Sequence, residues 1–163
     1  MKIFILIVSF LLEGVVSNFV PVNGFFAPLF TLITLIVIYP LFDENSNYYK
    51  YAFITGLAYD LFYTDTIIFH AIIFSFMAVI IRRLNTVLSD NFINILITLV
   101  LSIVFYRVIT YGFLSFRGAV SFEFRALGFS ILKSLFLNLI YGMILFLIMT
   151  RFLMKRDYRL KSW

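Results

Sequence analysis

The chain has 163 residues, of which 63% are hydrophobic and only 13% are charged, and its formal net charge is +5. A soluble domain carries about 25% charged residues, and a domain of this size exposes too much surface to hide so many apolar side chains from water. A water-soluble fold is therefore excluded, and the lack of cysteine also excludes disulfide frameworks, thiolate metal sites and cysteine nucleophiles.

The length predicts about six membrane-spanning helices of ~20 residues each. We therefore expect one all-α polytopic membrane domain, residues 1–163, with nothing left for a soluble domain. The first apolar run, residues 3–20, follows Lys2 as in a signal peptide, but Glu13 interrupts it and no small-residue cleavage site follows. We expect a retained helix, which ends at the PVNG turn because proline and glycine break helices.

The next three apolar runs are separated by polar segments. The second run covers residues 25–42, and the polar stretch 43–50 must lie in water. The third and fourth runs, 51–63 and 67–81, are short and are separated by Thr64-Asp65-Thr66. Because Asp and Thr side chains accept the free N–H groups at a helix start, this triplet predicts a break followed by an N-cap. The two runs are therefore predicted to form a tight helical hairpin of short or tilted spans.

The last two apolar runs are longer. The fifth covers residues 92–114 and the sixth covers 126–150. The loop between them, 115–125, is aromatic and charged, and we expect it at the membrane interface. A basic tail, residues 151–163, follows the sixth run.

Basic residues gather on one side if the spans alternate from a cytoplasmic amino terminus. The inner side then holds nine of the thirteen Lys and Arg residues: Lys2, Lys50, Arg82, Arg83, Arg151, Lys155, Arg156, Arg159 and Lys161. Arg117 and Arg125 then lie on the outer side of the membrane, and Arg107 and Lys133 lie within the spans. This distribution fits the positive-inside rule and predicts a multi-pass membrane protein with both termini in the cytoplasm. The positive charge then indicates contact with membrane lipid rather than with nucleic acid.

Four ionisable residues fall within apolar runs: Glu13, Asp60, Arg107 and Lys133. At ~1.5 Å per helical residue all four lie in the outer half of the membrane, and His70 enters the same layer. A charge in hydrocarbon costs at least ~2.5–3.5 kcal/mol, so the lowest-energy arrangement is an intramembrane polar cluster of acids and bases. We expect Asp60 to pair with Arg107 or Lys133, and Glu13 to pair with whichever of these two bases remains. A structural role for the cluster, holding the helices together, is favoured over a catalytic or transport site. No nucleophile–base pairing is visible, and a lone histidine is a poor metal site.

Small residues define two helix faces. Ala52, Gly56 and Asp60 share one face at a spacing of four residues. Ala71 and Ser75 give the fourth run a second small face. Because small residues let a neighbouring backbone approach closely, these positions predict a helix-packing or partner face.

The segment FITGLAYDLFYTDTIIFHAIIFSFMAVIIRRL, residues 53–84, resembles the central part of MreD, a family of bacterial rod shape-determining membrane proteins. Members typically place a glycine four residues before an aspartate in an apolar helix. An aromatic or small-residue turn and a second apolar helix follow. The corresponding positions here are Gly56, Asp60 and residues 62–64.

The resemblance implies a six-helix bundle similar to the substrate-binding subunit of energy-coupling-factor transporters. It also implies a non-enzymatic scaffold without a cofactor. The implied partner is MreC, a single-span protein with an extracytoplasmic domain, within the complex that directs lateral peptidoglycan synthesis during elongation. RodA and a class B penicillin-binding protein belong to the same complex, as does the actin-like MreB, whose contact we expect to be indirect.

Two other functions stay open at this point. An outer polar cluster that lines an outward pocket would suit a small-molecule (vitamin-type) binding subunit of a membrane transporter. Glu13 and Asp60 would suit a proton- or ion-coupled carrier. The sequence does not decide which helices contact a partner, which oligomer forms or how the charges of the cluster pair.

Overall fold

The computed structural model describes residues 2–19, 28–42, 45–64, 66–87 and 92–151. Within these ranges the chain is helical, and no strand occurs. The helices, in chain order, are α1 (Lys2–Phe19), α2 (Phe30–Ile38), α3 (Asn45–Tyr63), α4 (Phe69–Val87), α5 (Phe92–Phe116) and α6 (Phe124–Met149), and a 3-10 turn (Tyr39–Leu41) follows α2. The described chain therefore confirms the predicted all-α class, with one helix for each apolar run.

Three of the described helices are long and apolar enough to cross a membrane. They are α1, α5 over Ile93–Phe116, and α6. The segment Phe30–Leu41, which joins α2 to its 3-10 turn, is a shorter apolar helix. These helices identify a membrane protein, whereas six full spans and cytoplasmic termini stay predictions.

Helix α2 forms the centre of the bundle. All of its residues, Phe30–Ile38, are buried, and the helix packs against α1, α4, α5 and α6. A helix that is apolar all round belongs in a core because it has no polar face to turn outward. It is shorter than the predicted run, because the helix begins only after Pro28 and the α-helix ends before the 3-10 turn that contains Pro40. Pro40 has no backbone N–H to donate to the Ile36 carbonyl four residues earlier, which explains this end.

Helix α1 lies at the edge of the bundle and packs on α2. Its buried residues are Leu6, Ser9 and Glu13, which form one narrow seam along the helix. Large apolar side chains such as Phe4 and Leu11 are exposed on the remaining surface. Such a surface suits lipid, so α1 contributes mainly its polar seam to the interior.

The carboxyl end of α5 is closed by a glycine. Gly118 has a φ of +73°, a left-handed conformation that L side chains rarely adopt. The Gly118 N–H donates to the Ser115 carbonyl at 2.9 Å, and the Ala119 N–H donates to the Leu114 carbonyl at 3.0 Å. This pair of bonds is a Schellman motif, which satisfies the last carbonyls of the helix and turns the chain toward α6.

Helices α3 and α4 form the predicted hairpin, and their backbones approach closely at Gly56. A Cβ atom on Gly56 would lie 2.5 Å from the Ala71 Cα and 2.5 Å from the His70 carbonyl oxygen. Ala52 and Ala71 are both fully buried. Helix α4 of the same chain therefore packs on the small-residue face of α3. Of the two uses predicted for this face, helix packing or partner binding, the structure shows helix packing between consecutive antiparallel helices.

The second small face serves the same hairpin. Ala71 contributes its backbone to the Gly56 contact, whereas Ser75 is only partly buried. The Ser75 hydroxyl donates to the Ala71 carbonyl at 2.8 Å within α4. Ser75 is thus satisfied inside its own helix and adds no bond to α3.

Replacing Gly56 by alanine is expected to destabilise the protein by roughly 1–3 kcal/mol, because the new methyl group overlaps backbone atoms of α4 that cannot move aside independently. The matched control is Gly112→Ala in α5, where a Cβ would meet nothing within 4 Å. Alanine has the higher helix propensity, so this control is expected to leave stability unchanged or slightly increased. Thermal unfolding of both variants in one detergent measures the difference. Equal melting temperatures would contradict the close approach.

Candidate functional site

The Asp60 carboxylate lies at the start of α4 and is 5% exposed. Its Oδ2 accepts the backbone N–H of His70 at 2.9 Å and that of Ala71 at 3.2 Å. Its Oδ1 accepts the Thr66 hydroxyl at 2.6 Å and lies 2.8 Å from His70 Nδ1. Because an ionised carboxylate only accepts hydrogen bonds, Nδ1 of His70 carries the proton in this contact. Asp60 thus binds the first turn of the neighbouring helix.

An acceptor from outside the predicted triplet serves the start of α4. The cap was expected from Thr64-Asp65-Thr66, but the carboxylate that reaches the helix start comes from Asp60 on α3. Thr66 donates to this carboxylate instead of capping the helix itself. Asp65 lies outside the described residues. The first N–H groups of a helix lack partners within the helix, and His70 and Ala71 are buried from water, so a carboxylate from the adjacent helix takes that role.

The backbone just before α4 is strained. Ile68 has a φ of 67°, which is rare for a β-branched residue. Its carbonyl accepts the Ile72 N–H at 3.0 Å and so begins the helix. Such a conformation persists where the surrounding structure fixes it, and the bonds of Asp60 to Thr66 and His70 hold the chain on both sides of Ile68.

Glu13 plays the same part at the start of α2 and is 1% exposed. Its Oε2 accepts the Thr31 backbone N–H at 2.8 Å and the Thr31 hydroxyl at 2.6 Å. Its Oε1 accepts the Tyr59 hydroxyl at 2.9 Å. The Leu29 N–H, one step before the helix, donates to Asn138 Oδ1 at 2.7 Å. Side chains from α1 and α6 therefore satisfy the buried amino end of the central helix.

A second group of polar contacts surrounds Ser9, which lies on the same buried face of α1 as Glu13. The Thr34 hydroxyl donates to Ser9 Oγ at 2.7 Å, and Ser9 Oγ lies 2.6 Å from the Tyr141 hydroxyl. The Ser9 hydroxyl also lies 2.8 Å from the Ile5 carbonyl, to which it donates. One polar chain thus joins α1, α2 and α6 in the interior, next to the Glu13 cap.

The two bases of the predicted cluster lie on α5 and α6. Arg107 Nη2 donates to Ser134 Oγ on α6 at 3.0 Å, and its guanidinium is within electrostatic range of Glu13. Lys133 is half-buried. Between described residues, Asp60 pairs with His70 at 2.8 Å. The positive ends of two helices compensate the carboxylates at close range, and the pairing of Asp60 and Glu13 with Arg107 and Lys133 stays a prediction.

Tyr59 brings the two carboxylates into one layer. Its hydroxyl donates to Glu13, and its ring centroid lies 4.8 Å from that of His70, which binds Asp60. Glu13, Asp60 and His70 therefore gather as the sequence indicated. Tyr59 and Asn138 were missed. The only signal in the sequence was their position near a singled-out polar residue, since Tyr59 is one before Asp60 and Asn138 is five after Lys133.

The chemistry of this network is that of structural hydrogen bonding. Each carboxylate already accepts bonds from backbone N–H and hydroxyl donors of the protein. Within the described part of the chain, no three His, Asp or Glu residues group as ligands for a metal ion. The network thus fixes helix starts inside the bundle.

Comparison with known proteins identifies the family. The model of the family described as rod shape-determining protein MreD matches residues 1–156. The chain belongs to the MreD family. Neither the curated proteins nor the solved structures contain a match. Membership confirms the resemblance found in residues 53–84 and extends it over nearly the whole chain. It assigns an MreD-type membrane protein with a role in rod shape determination, in a family not known for enzymes.

Replacing Asp60 by asparagine is expected to lower the free energy of unfolding by about 1–3 kcal/mol, because an amide has one accepting oxygen and cannot satisfy all the buried donors. Thermal unfolding in detergent measures the loss. Glu123→Gln is the control, since Glu123 is exposed and makes no cap bond to α6. An Asp60 variant as stable as this control would contradict the capping role.

Replacing Glu13 is expected to give a graded loss of stability. Glu13→Gln keeps one oxygen for the Thr31 N–H, whereas Glu13→Ala leaves that N–H, the Thr31 hydroxyl and the Tyr59 hydroxyl without their acceptor. The melting temperature should therefore fall from wild type to the glutamine variant and further to the alanine variant. An alanine variant as stable as wild type would show that α2 does not need this acceptor.

Proposed function

We propose that this chain is a non-enzymatic membrane scaffold of the bacterial elongation complex, which makes lateral peptidoglycan. In this proposal it crosses the cytoplasmic membrane six times, with both termini in the cytoplasm, and binds the single-span protein MreC. RodA and a class B penicillin-binding protein are neighbours in the complex, and MreB is reached indirectly. Membership in MreD supports the cell-shape role, and the basic residues at one end support the orientation.

One structural observation carries the scaffold interpretation. The buried acids are engaged by the protein's own helix starts, as the bonds of Glu13 to Thr31 and of Asp60 to His70 show. A proton- or ion-coupled carrier must release and reload its acids during each cycle. Here release would leave buried N–H groups without acceptors. The network therefore favours a bundle that keeps one shape and presents its outer surface to partners.

The fold also supports the bundle type that the resemblance implied. A short central helix surrounded by longer ones, with a closely packed α3–α4 hairpin, agrees with a six-helix bundle similar to energy-coupling-factor substrate-binding subunits. Because α4 covers the Gly56 face, we place the MreC contact on a different face from the one the sequence singled out.

A small-molecule binding subunit is the second candidate, and one observation favours it. The start of α2 is bonded to Asn138, which lies about 21 Å along the axis from the Phe124 end of α6. The central helix therefore begins deep inside the bundle, where Glu13, Thr31 and Asn138 converge. Convergent polar groups between apolar walls are typical of ligand sites.

Crosslinking followed by affinity purification from native membranes tests the scaffold. MreC is expected as a crosslinked partner, because a helix scaffold touches its partner within the bilayer. Two controls are needed: the same preparation without crosslinker, and membranes that lack the tagged chain. Absence of MreC from the product, in membranes shown to contain both proteins, would contradict the proposal.

The same purified material separates the two candidates. Organic extraction and mass spectrometry of the uncrosslinked protein should find no small molecule at one equivalent per chain if it is a scaffold. A polar metabolite retained in that amount, and lost on Glu13→Ala in a folded sample, would favour the binding subunit instead.

A further inference from the structure

Cationic side chains collect where α1 and α3 begin and α4 ends. Lys50, Arg82 and Arg83 are exposed there. Lys2 Nζ, at the start of α1, lies 4.8 Å from the centroid of the Phe42 ring, which follows the 3-10 turn after α2. The ends of four helices thus meet around a basic rim.

Aromatic rings lie beneath this rim. The Tyr48 ring centroid is 4.9 Å from that of Tyr39, 5.3 Å from that of Phe42 and 6.2 Å from that of Tyr49. Tyrosine and other aromatic residues concentrate at the headgroup level of membrane proteins. The aromatic layer therefore places the neighbouring cations at the height of lipid phosphates.

Arg82 is held in a fixed position at this level. Its Nη1 donates to the Tyr49 hydroxyl at 3.1 Å, and the contact is exposed. A guanidinium has five N–H donors, so most remain for another acceptor, and the Tyr49 hydroxyl keeps its own proton to donate. The ammonium of Lys50 stands on the next residue of α3 and is exposed. A charge needed only for membrane orientation requires no such fixed geometry.

We propose that Lys50, Tyr49 and Arg82 bind the phosphate of an anionic phospholipid headgroup. Guanidinium and ammonium groups form the strongest hydrogen bonds to phosphate oxygens, and the planar guanidinium binds two of them at once. In the proposed orientation this rim faces the cytoplasmic leaflet, whose anionic lipids attract basic segments. Asp43 and Glu44 precede α3 in the sequence, outside the described residues, and both stay in place in every variant below.

Lipid titration tests the site. Phosphatidylglycerol, phosphatidylcholine or inorganic phosphate is added to the pure protein in an uncharged detergent, and bound lipid is counted by native mass spectrometry. Wild type is expected to retain phosphatidylglycerol in preference to phosphatidylcholine. Lys50→Gln with Arg82→Gln should weaken this binding roughly 10- to 30-fold, from about 1 kcal/mol per basic residue near the surface. Unchanged binding would overturn the proposal.

The matched control removes the same charge at the opposite end. Arg117 and Arg125 are exposed, and each lies 5.8 Å from the centroid of a phenylalanine ring. Their double glutamine variant should bind phosphatidylglycerol as wild type does, and an equal loss would show that only net charge matters. Displacement of the lipid by millimolar inorganic phosphate would point to a free-phosphate site and overturn the lipid assignment.

A second variant keeps all charges. Tyr49→Phe removes the hydroxyl that positions Arg82, and it should weaken phosphatidylglycerol binding several-fold while leaving the melting temperature without lipid unchanged. Wild-type affinity in this variant would show that Tyr49 takes no part and would refute the fixed geometry.

Discussion

The structure depends on one constraint: a helix whose start is buried inside the protein must find acceptors for its first N–H groups there, without help from water. Each buried N–H group left without an acceptor costs about 1–3 kcal/mol. Helices α2 and α4 both meet this constraint with a carboxylate from another helix, Glu13 for α2 and Asp60 for α4. The carboxylates in turn are stabilised by the positive helix ends that they bind. Acid and helix start are thus mutually dependent.

This dependence explains the arrangement of the bundle. The central helix α2 is short and apolar on all sides, so its position is fixed by its ends as much as by its packing. Glu13 and Asn138 fix its start from α1 and α6, and Tyr59 ties the same point to α3. Four helices therefore meet at one height. A bundle connected in this way is suited to keeping one constant shape.

The sequence was informative where composition, hydropathy or a local motif decides the outcome. Composition gave the membrane class, the six apolar runs gave six helices, and residues 53–84 indicated the family that the whole-chain comparison confirmed. The polar layer was also foreseen, but the bonds of Asp60 to the start of α4 were not. Depth along a helix follows from counting residues, whereas the direction of Asp60 depends on how α3 crosses α4. The sequence likewise showed that Gly56 permits close packing without showing that α4 is the neighbour, and Asn138 lay too far along the chain to be linked to Leu29.

Each of the two carboxylates precedes, in the sequence, the helix whose start it binds. Glu13 belongs to α1 and serves α2, and Asp60 belongs to α3 and serves α4, so each acceptor is synthesised before the helix that uses it. In a chain synthesised from its amino terminus, the acceptors for the starts of α2 and α4 are therefore present before those helices are made. Asn138, on the last helix, arrives after α2 and closes the remaining bond. The sequence order thus suits cotranslational assembly that begins with α1 and α2 and ends when Asn138 of α6 accepts the Leu29 N–H.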